Sequence, residues 1–282
     1  MDRARRRWCS AFAVALAAPR IALAREPLRI GVTAVILDDQ VSFLEEWRQY
    51  LGRKLGREVR FVQRGSYRGI NDLLRDGKID FAWVCGAPYV RHAAFMKLLA
   101  VPVYQGRPLY RSYLIVPSDD GATRSLLDLR GRVFAYSDPE SNSGYLYVQS
   151  ALLALHERPK AFFGRTFFTW THRNVVEAVR SRLAHGGTVD GYVWDTLAKL
   201  HPEIARGTRV VAQSPDFGFP PFVAHRDVPA AEFETMRAVL VGMAEDAAGA
   251  RLLARLNLDG FIPGEPALFA GIARMAREVD GG

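Results

Sequence analysis

Short apolar runs alternate along this chain with stretches in which apolar positions recur every three or four residues. Leu28–Val32 (LRIGV) reads as a first strand. Val41, Leu44, Trp47, Leu51 and Leu55 fall at helical spacing and predict an amphipathic helix over Val41–Leu55, stopped at Gly56. Residues 33–40 read as a loop. A strand over Glu58–Gln63 follows, then a helix over Tyr67–Arg75, a turn at Asp76-Gly77 and a strand over Asp80–Val84. A helix over Pro88–Met96 and a strand over Leu98–Val103 close this first unit. Tyr110–Val116 is a β-rich run broken by Pro117–Gly121. A second unit alternates in the same way: Ser125–Leu129 (helix), Val133–Tyr136 (strand), Ser143–Leu155 (helix), Thr166–Thr169 (strand), Asn174–Leu183 (helix), Val189–Val193 (strand), Asp195–His201 (helix) and Arg209–Gln213 (strand). Phe219–Ala224 runs extended around Pro220-Pro221, and Ala230–Ala244, Ala247–Leu256 and Pro266–Glu278 are helical.

Such alternation with short turns predicts an α/β fold with parallel sheets and right-handed crossovers. Two extended connectors, Tyr110–Val116 going out and Phe219–Ala224 coming back, divide it into two lobes: residues 25–112 with 222–282, and residues 113–221. A ligand cleft is then expected between the lobes at the carboxyl ends of the strands, closing by a hinge in the connectors.

Composition changes the picture mainly at the N-terminus. Arg3, Arg5, Arg6 and Arg7 precede the apolar stretch Trp8–Ala18, and Ala22-Leu23-Ala24 has the small-x-small form of a cleavage site. Residues 1–24 therefore read as a secretory signal peptide cut after Ala24, which predicts a periplasmic protein. This segment holds five arginines and one aspartate. Of the 38 basic and 30 acidic residues, 33 and 29 lie beyond it, and the net charge falls from +8 to +4. Nucleic acid thereby loses its electrostatic support as a partner. Of the two cysteines only Cys85 lies beyond the signal, so no internal disulfide is expected in the processed chain.

The stretch Val133–Leu155 (VFAYSDPESNSGYLYVQSALLAL) carries the most chemistry. A strand end, a polar turn at Ser137-Asp138-Pro139-Glu140 and a helix opening at Ser141-Asn142-Ser143-Gly144 place free N–H groups, hydroxyls and an amide at a positive dipole end. That combination suits an anion. An ordinary Ser/Asn helix cap accounts for the same residues.

Several landmarks, in order, then carry a resemblance. They are LRIGVT, the run YRGINDLLRDGKIDFAWVCGAPYV (Tyr67–Val90), YRSYLIV, SLLDLRGRVFAYSDPESNSGYL, FTWTHRNVVEAV and Val189-Asp190-Gly191. From Leu28 to about Ala273 the chain resembles the periplasmic phosphonate/phosphite/phosphate-binding proteins of ABC importers, of the type 2 periplasmic-binding-protein fold. The resemblance implies capture of a small tetrahedral oxyanion, no catalysis, no cofactor, a monomer and ABC permease subunits as partners. It implies that Ser141, Asn142, Ser143 and Gly144 clamp the oxyanion, with His172 donating to it, Tyr67 and Tyr89 in the first lobe's wall and Asp190 at a strand end of the second. Asn142 stands where the family usually has threonine. An amide donates but also presents an acceptor, so the head-group chemistry there differs. Cys85, Thr33 and Asp195 are secondary candidates.

Two other classes stay open. Relatives that bind arsenite through a cysteine and report to a sensor kinase make Cys85 the mark of a signalling alternative. An enzyme on a similar scaffold is the third, but no G-x-S-x-G follows a strand. The six histidines show no metal-ligand spacing, and no G-x-G-x-x-G or P-loop motif is present.

Overall fold

The computed structural model describes residues 26–33 and 41–281. The predicted export signal, its cleavage point and the loop residues 34–40 lie outside them. The chain's apolar runs end up in two separate sheets, one of six strands and one of five, with a two-stranded ribbon between them in sequence. Strands are β1 (Leu28–Val32), β2 (Val59–Gln63), β3 (Phe81–Trp83), β4 (Met96–Val103), β5 (Leu109–Tyr110), β6 (Ser112–Pro117), β7 (Val133–Tyr136), β8 (Arg165–Phe168), β9 (Gly186–Asp190), β10 (Thr208–Gln213), β11 (Phe217–Gly218), β12 (Phe222–His225) and β13 (Gly260–Pro263). The first sheet runs β13-β4-β12-β3-β1-β2 and the second β10-β6-β9-β7-β8.

Both sheets are mixed, which corrects the parallel expectation. β1 pairs in parallel with β2 and β3, but the returning β12 inserts antiparallel between β3 and β4. In the second sheet β6 runs antiparallel to both β9 and β10. The two connectors are shorter than predicted, because most of Tyr110–Val116 is absorbed into β6. What remains is β5 paired antiparallel with β11, Tyr110 opposite Phe217. This two-stranded ribbon is the hinge of the double crossover.

Helices cover the sheets: α1 (Val41–Leu55), α2 (Tyr67–Arg75), α3 (Gly86–Arg91), α4 (Tyr147–Ala154), α5 (Pro159–Phe162), α6 (His172–Arg180), α7 (Gly191–Leu200), α8 (Pro202–Ala205), α9 (Ala230–Val241), α10 (Ala247–Leu256) and α11 (Ala270–Asp280). Aromatic rings fill the first core. Trp47 of α1 meets Phe61, Trp83 and Phe222 with centroids 5.2 to 6.1 Å away. Burying each such side chain contributes about 1.5–3 kcal/mol. In the second unit Phe134, Tyr136, Phe162 and Phe163 pack with Val148 and Leu152. No helix among the described residues is long and apolar enough to cross a membrane.

Candidate functional site

The loop after β7 is built by its own side chains. Asp138 Oδ1 accepts the Glu140 N–H at 2.8 Å, and the Asp138 carbonyl accepts the Ser141 N–H at 2.9 Å. Ser141 is extended and caps the next helix, its Oγ accepting the Gly144 N–H at 3.0 Å. The chain then makes one π-helical turn, Asn142–Leu146, before α4 begins. The sequence predicts a plain α-helix from Ser143. The wider turn is closed by Leu146 N–H on the Ser141 carbonyl at 3.0 Å and buries Asn142, Ser143 and Gly144.

Three further segments converge on this turn. A Cβ at Gly144 would stand 1.9 Å from Ser137 Oγ and 3.1 Å from His172 Cε1, so both side chains lie against the glycine. Asn142 donates its backbone N–H to Cys85 Sγ at 3.2 Å and its Nδ2 to the Tyr110 hydroxyl at 2.9 Å. Ser112 donates its Oγ–H to the Ser143 carbonyl at 2.6 Å and lies opposite Asp190 in the β6–β9 register. His172 opens α6 behind the Thr171 cap, and its Nδ1 accepts the Asp190 N–H at 3.0 Å. That bond puts the ring's proton on Nε2. Burial pushes the imidazole down to about 3, so it is a neutral donor at any physiological pH.

Asp190 ends β9 and caps α7, its Oδ1 accepting the Tyr192 N–H at 2.9 Å. The sequence predicts a strand over Val189–Val193. The strand ends at Asp190 instead, because the Asp190 side chain caps the backbone at Tyr192 and the chain turns into α7 at Gly191. Burial raises the Asp190 carboxyl to about 8. It also raises the Cys85 thiol to about 11 and lifts the Tyr67 and Tyr110 phenols well above their ordinary value. All of these groups, with Ser141, Asn142, Ser143 and His172, are at most 3% exposed.

Five buried side-chain atoms here have no hydrogen-bond partner within the protein: Tyr67 Oη, Ser137 Oγ, Asn142 Oδ1, Ser143 Oγ and Thr188 Oγ1. A buried polar group left in that state costs about 1–3 kcal/mol. Among the described residues the buried polar set contains no lysine or arginine. The cradle is thus a set of neutral donors and one amide acceptor beside a carboxyl that burial keeps protonated. Nor do three or more His, Cys, Asp or Glu side chains gather as metal ligands among the described residues.

The structure therefore brings Ser141, Asn142, Ser143, Gly144, His172, Tyr67, Asp190 and Cys85 together. Tyr89 stands on α3 and packs edge-on against Phe269, with centroids 4.8 Å apart. Thr33 spends its hydroxyl on the Trp83 carbonyl at 3.1 Å. Asp195 lies beside the hinge, accepting from the Tyr104 and Tyr113 hydroxyls at 3.0 and 3.1 Å. Sequence reasoning missed Ser137, Tyr110, Ser112 and Thr188. Ser137 stands in the same polar run and was legible there only as turn chemistry.

A sequence model of the family described as ABC transporter, phosphonate, periplasmic substrate-binding protein matches residues 30–269. The chain belongs to this family. Its members are substrate-binding components of transporters rather than enzymes, and its name places them in the periplasm. Among curated relatives, the phosphate-import protein PhnD of Mycolicibacterium smegmatis is 31% identical over 108 residues, covering 36% of this chain and 34% of that protein. The phosphonates-binding periplasmic protein of Escherichia coli is 26% identical over 198 residues, 67% of this chain and 57% of that protein. The chain thus matches about a third and somewhat over half of their lengths. Two solved structures share the fold. The binding component of a Pseudomonas aeruginosa ABC phosphonate transporter superposes with a TM-score of 0.82 at 22% identity, covering 91% of this chain and 88% of that one. PhnD1 of Prochlorococcus marinus, solved with methylphosphonate, gives 0.81 at 17% identity, covering 90% and 98%. The fold is the two-lobe, type 2 periplasmic-binding-protein fold.

Proposed function

We propose that this protein captures a small tetrahedral oxyanion of the phosphonate, phosphite or phosphate class and presents it to the membrane subunits of an ABC importer. Residues 25–112 with 222–282 act as one lobe and residues 113–221 as the other, and the processed chain works as a periplasmic monomer after cleavage behind Ala24. The unpartnered polar atoms of Tyr67, Ser137, Asn142 and Ser143 gathered at the π-turn, with Thr188 on the adjoining strand β9, support this reading most directly. Hydroxyls of Tyr67, Ser137, Ser143 and Thr188 and the Nε2–H of His172 supply donors to the oxygens. The Asn142 Oδ1 acceptor favours an anion that keeps one proton, such as a phosphonate or phosphite monoanion. A neutral Asp190 spares that anion a like charge. Tyr89, Thr33 and Asp195 are not part of the proposed cradle.

Isothermal titration with phosphite, methylphosphonate and phosphate, against sulfate and arsenite, tests the reading. At least one of the first three binds, and Ser143→Ala or His172→Ala weakens it tenfold or more, the scale of about 1.4 kcal/mol for one lost donor. Silence across the first three sinks the proposal. The arsenite-sensing alternative draws on Cys85, whose sulfur does face Asn142. That sulfur already accepts an amide and burial holds the thiol protonated, which favours the importer reading.

A further inference from the structure

The loop that cradles the anion carries two carboxylates, Asp138 and Glu140, where negative charge opposes the proposed ligand. Their bonds explain their presence, since they reach across to the other unit. Asp138 Oδ1 holds its own loop through the Glu140 N–H, while Oδ2 accepts the Tyr67 N–H at 3.0 Å. Tyr67 is the first residue of α2, so this carboxylate caps a helix of the first unit from the second. Ser66, the helix's own cap, takes the Gly69 N–H and leaves the Tyr67 amide to Asp138. Glu140 doubles the contact: its Oε2 accepts Asn71 Nδ2 at 2.6 Å and its Oε1 meets Arg68 Nε at 3.4 Å. Asp138 is 1% exposed and Asn71 3%, so the Asp138–Tyr67 bond is buried, while Glu140 holds Asn71 at the edge of the contact and Arg68 in the open.

We propose that Asp138 and Glu140 are positioning residues that latch the oxyanion loop to α2, so that cleft closure and the aiming of the Tyr67 hydroxyl are one event. The proposal rests on the reading above only in assuming that the closed cleft holds an anion. A carboxylate at position 138 has an acceptor on each oxygen and satisfies both amides. An asparagine has one acceptor and must give up either the loop or the helix. A charge-assisted cap lost from a buried helix start is worth about a tenfold change in equilibrium. Because the latch stabilises the closed form from which the ligand must leave, the change falls on release.

The test compares wild type with Asp138→Asn, and with Asn71→Ala, which removes Glu140's partner without touching the loop. Phosphite, methylphosphonate and phosphate serve as probes. Expected are about tenfold weaker binding of each probe that wild type binds, a faster release rate, an unchanged association rate, and faster hydrogen exchange at the Tyr67 amide. Wild-type release rates and wild-type Tyr67 exchange in both variants overturn the latch. If wild type binds none of the probes, the oxyanion reading fails, and the latch is judged on the Tyr67 amide of the ligand-free protein. Faster exchange in Asp138→Asn supports it there, and equal exchange refutes it.

Discussion

In the proposed cradle, Asn142 and Asp190 are the residues expected to set selectivity. Asn142 gives Nδ2 to Tyr110 and its backbone N–H to Cys85, so what it offers a ligand is the carbonyl oxygen. A fully deprotonated anion such as sulfate brings that oxygen only lone pairs. We expect sulfate to bind at least tenfold more weakly than the best phosphorus oxyanion, and Asn142→Thr, whose hydroxyl can donate, to narrow the gap. Equal competition by sulfate in wild type refutes this. Asp190 has a pH signature. Its folded carboxyl titrates at about 8, above the ordinary carboxylate range, so its stability contribution is full in acid and is lost as pH rises through that window. Asp190→Asn keeps an N-cap and does not titrate. In urea titrations, stability of wild type minus variant should fall between about pH 4 and pH 8 and level off above. A flat difference means the carboxyl is charged. Gly144 is a steric test: alanine there meets Ser137 Oγ at 1.9 Å. Gly144→Ala should abolish probe binding and cost about 1–3 kcal/mol of stability in the same titrations.

At the scale of elements, what was legible was local. The run from Val133 to Leu155 states its own strand end, turn and helix opening in adjacent residues, so the cradle's main loop could be read without the fold. The π-turn could not, because nothing in Asn142-Ser143-Gly144 distinguishes an i+5 bond from an i+4 bond. It follows from the contacts of Ser137, Cys85 and Ser112 with that turn. Strand β9 was displaced in the sequence reading for a related reason. Gly186 and Gly187 carry no strand propensity, and they belong to the sheet because the side chains of Leu129 and Val175 leave room for no Cβ. Tyr110, Ser112 and Thr188 reach the site only through strand pairing, such as Ser112 with Asp190, which local pattern does not specify. The antiparallel insertion of β12 is likewise set by a partner far along the chain.

The whole molecule joins its two sheets through a two-stranded ribbon and one continuous apolar cluster, and polar pairs at the cleft and hinge add to that contact. Tyr67 with Asp138, Asn142 with Cys85 and Tyr104 with Asp195 each pair one unit with the other. A ligand held by donors from both units therefore binds the closed form and has no counterpart in the unfolded chain. At a hundredfold excess over its dissociation constant it adds about 2.7 kcal/mol to stability. For a chain of this size that corresponds to a rise in melting temperature of roughly 5–10 °C. Ser143→Ala, at a tenfold loss of affinity, should remove about half of the rise at the same probe concentration while leaving the ligand-free melting temperature nearly unchanged, because its hydroxyl has no partner within the protein to lose. Calorimetry of wild type and variant, each with and without the best-binding probe, measures all four temperatures. A variant that melts several degrees lower without ligand places the Ser143 hydroxyl in the scaffold. A variant that keeps the full ligand-dependent rise removes it from the cradle.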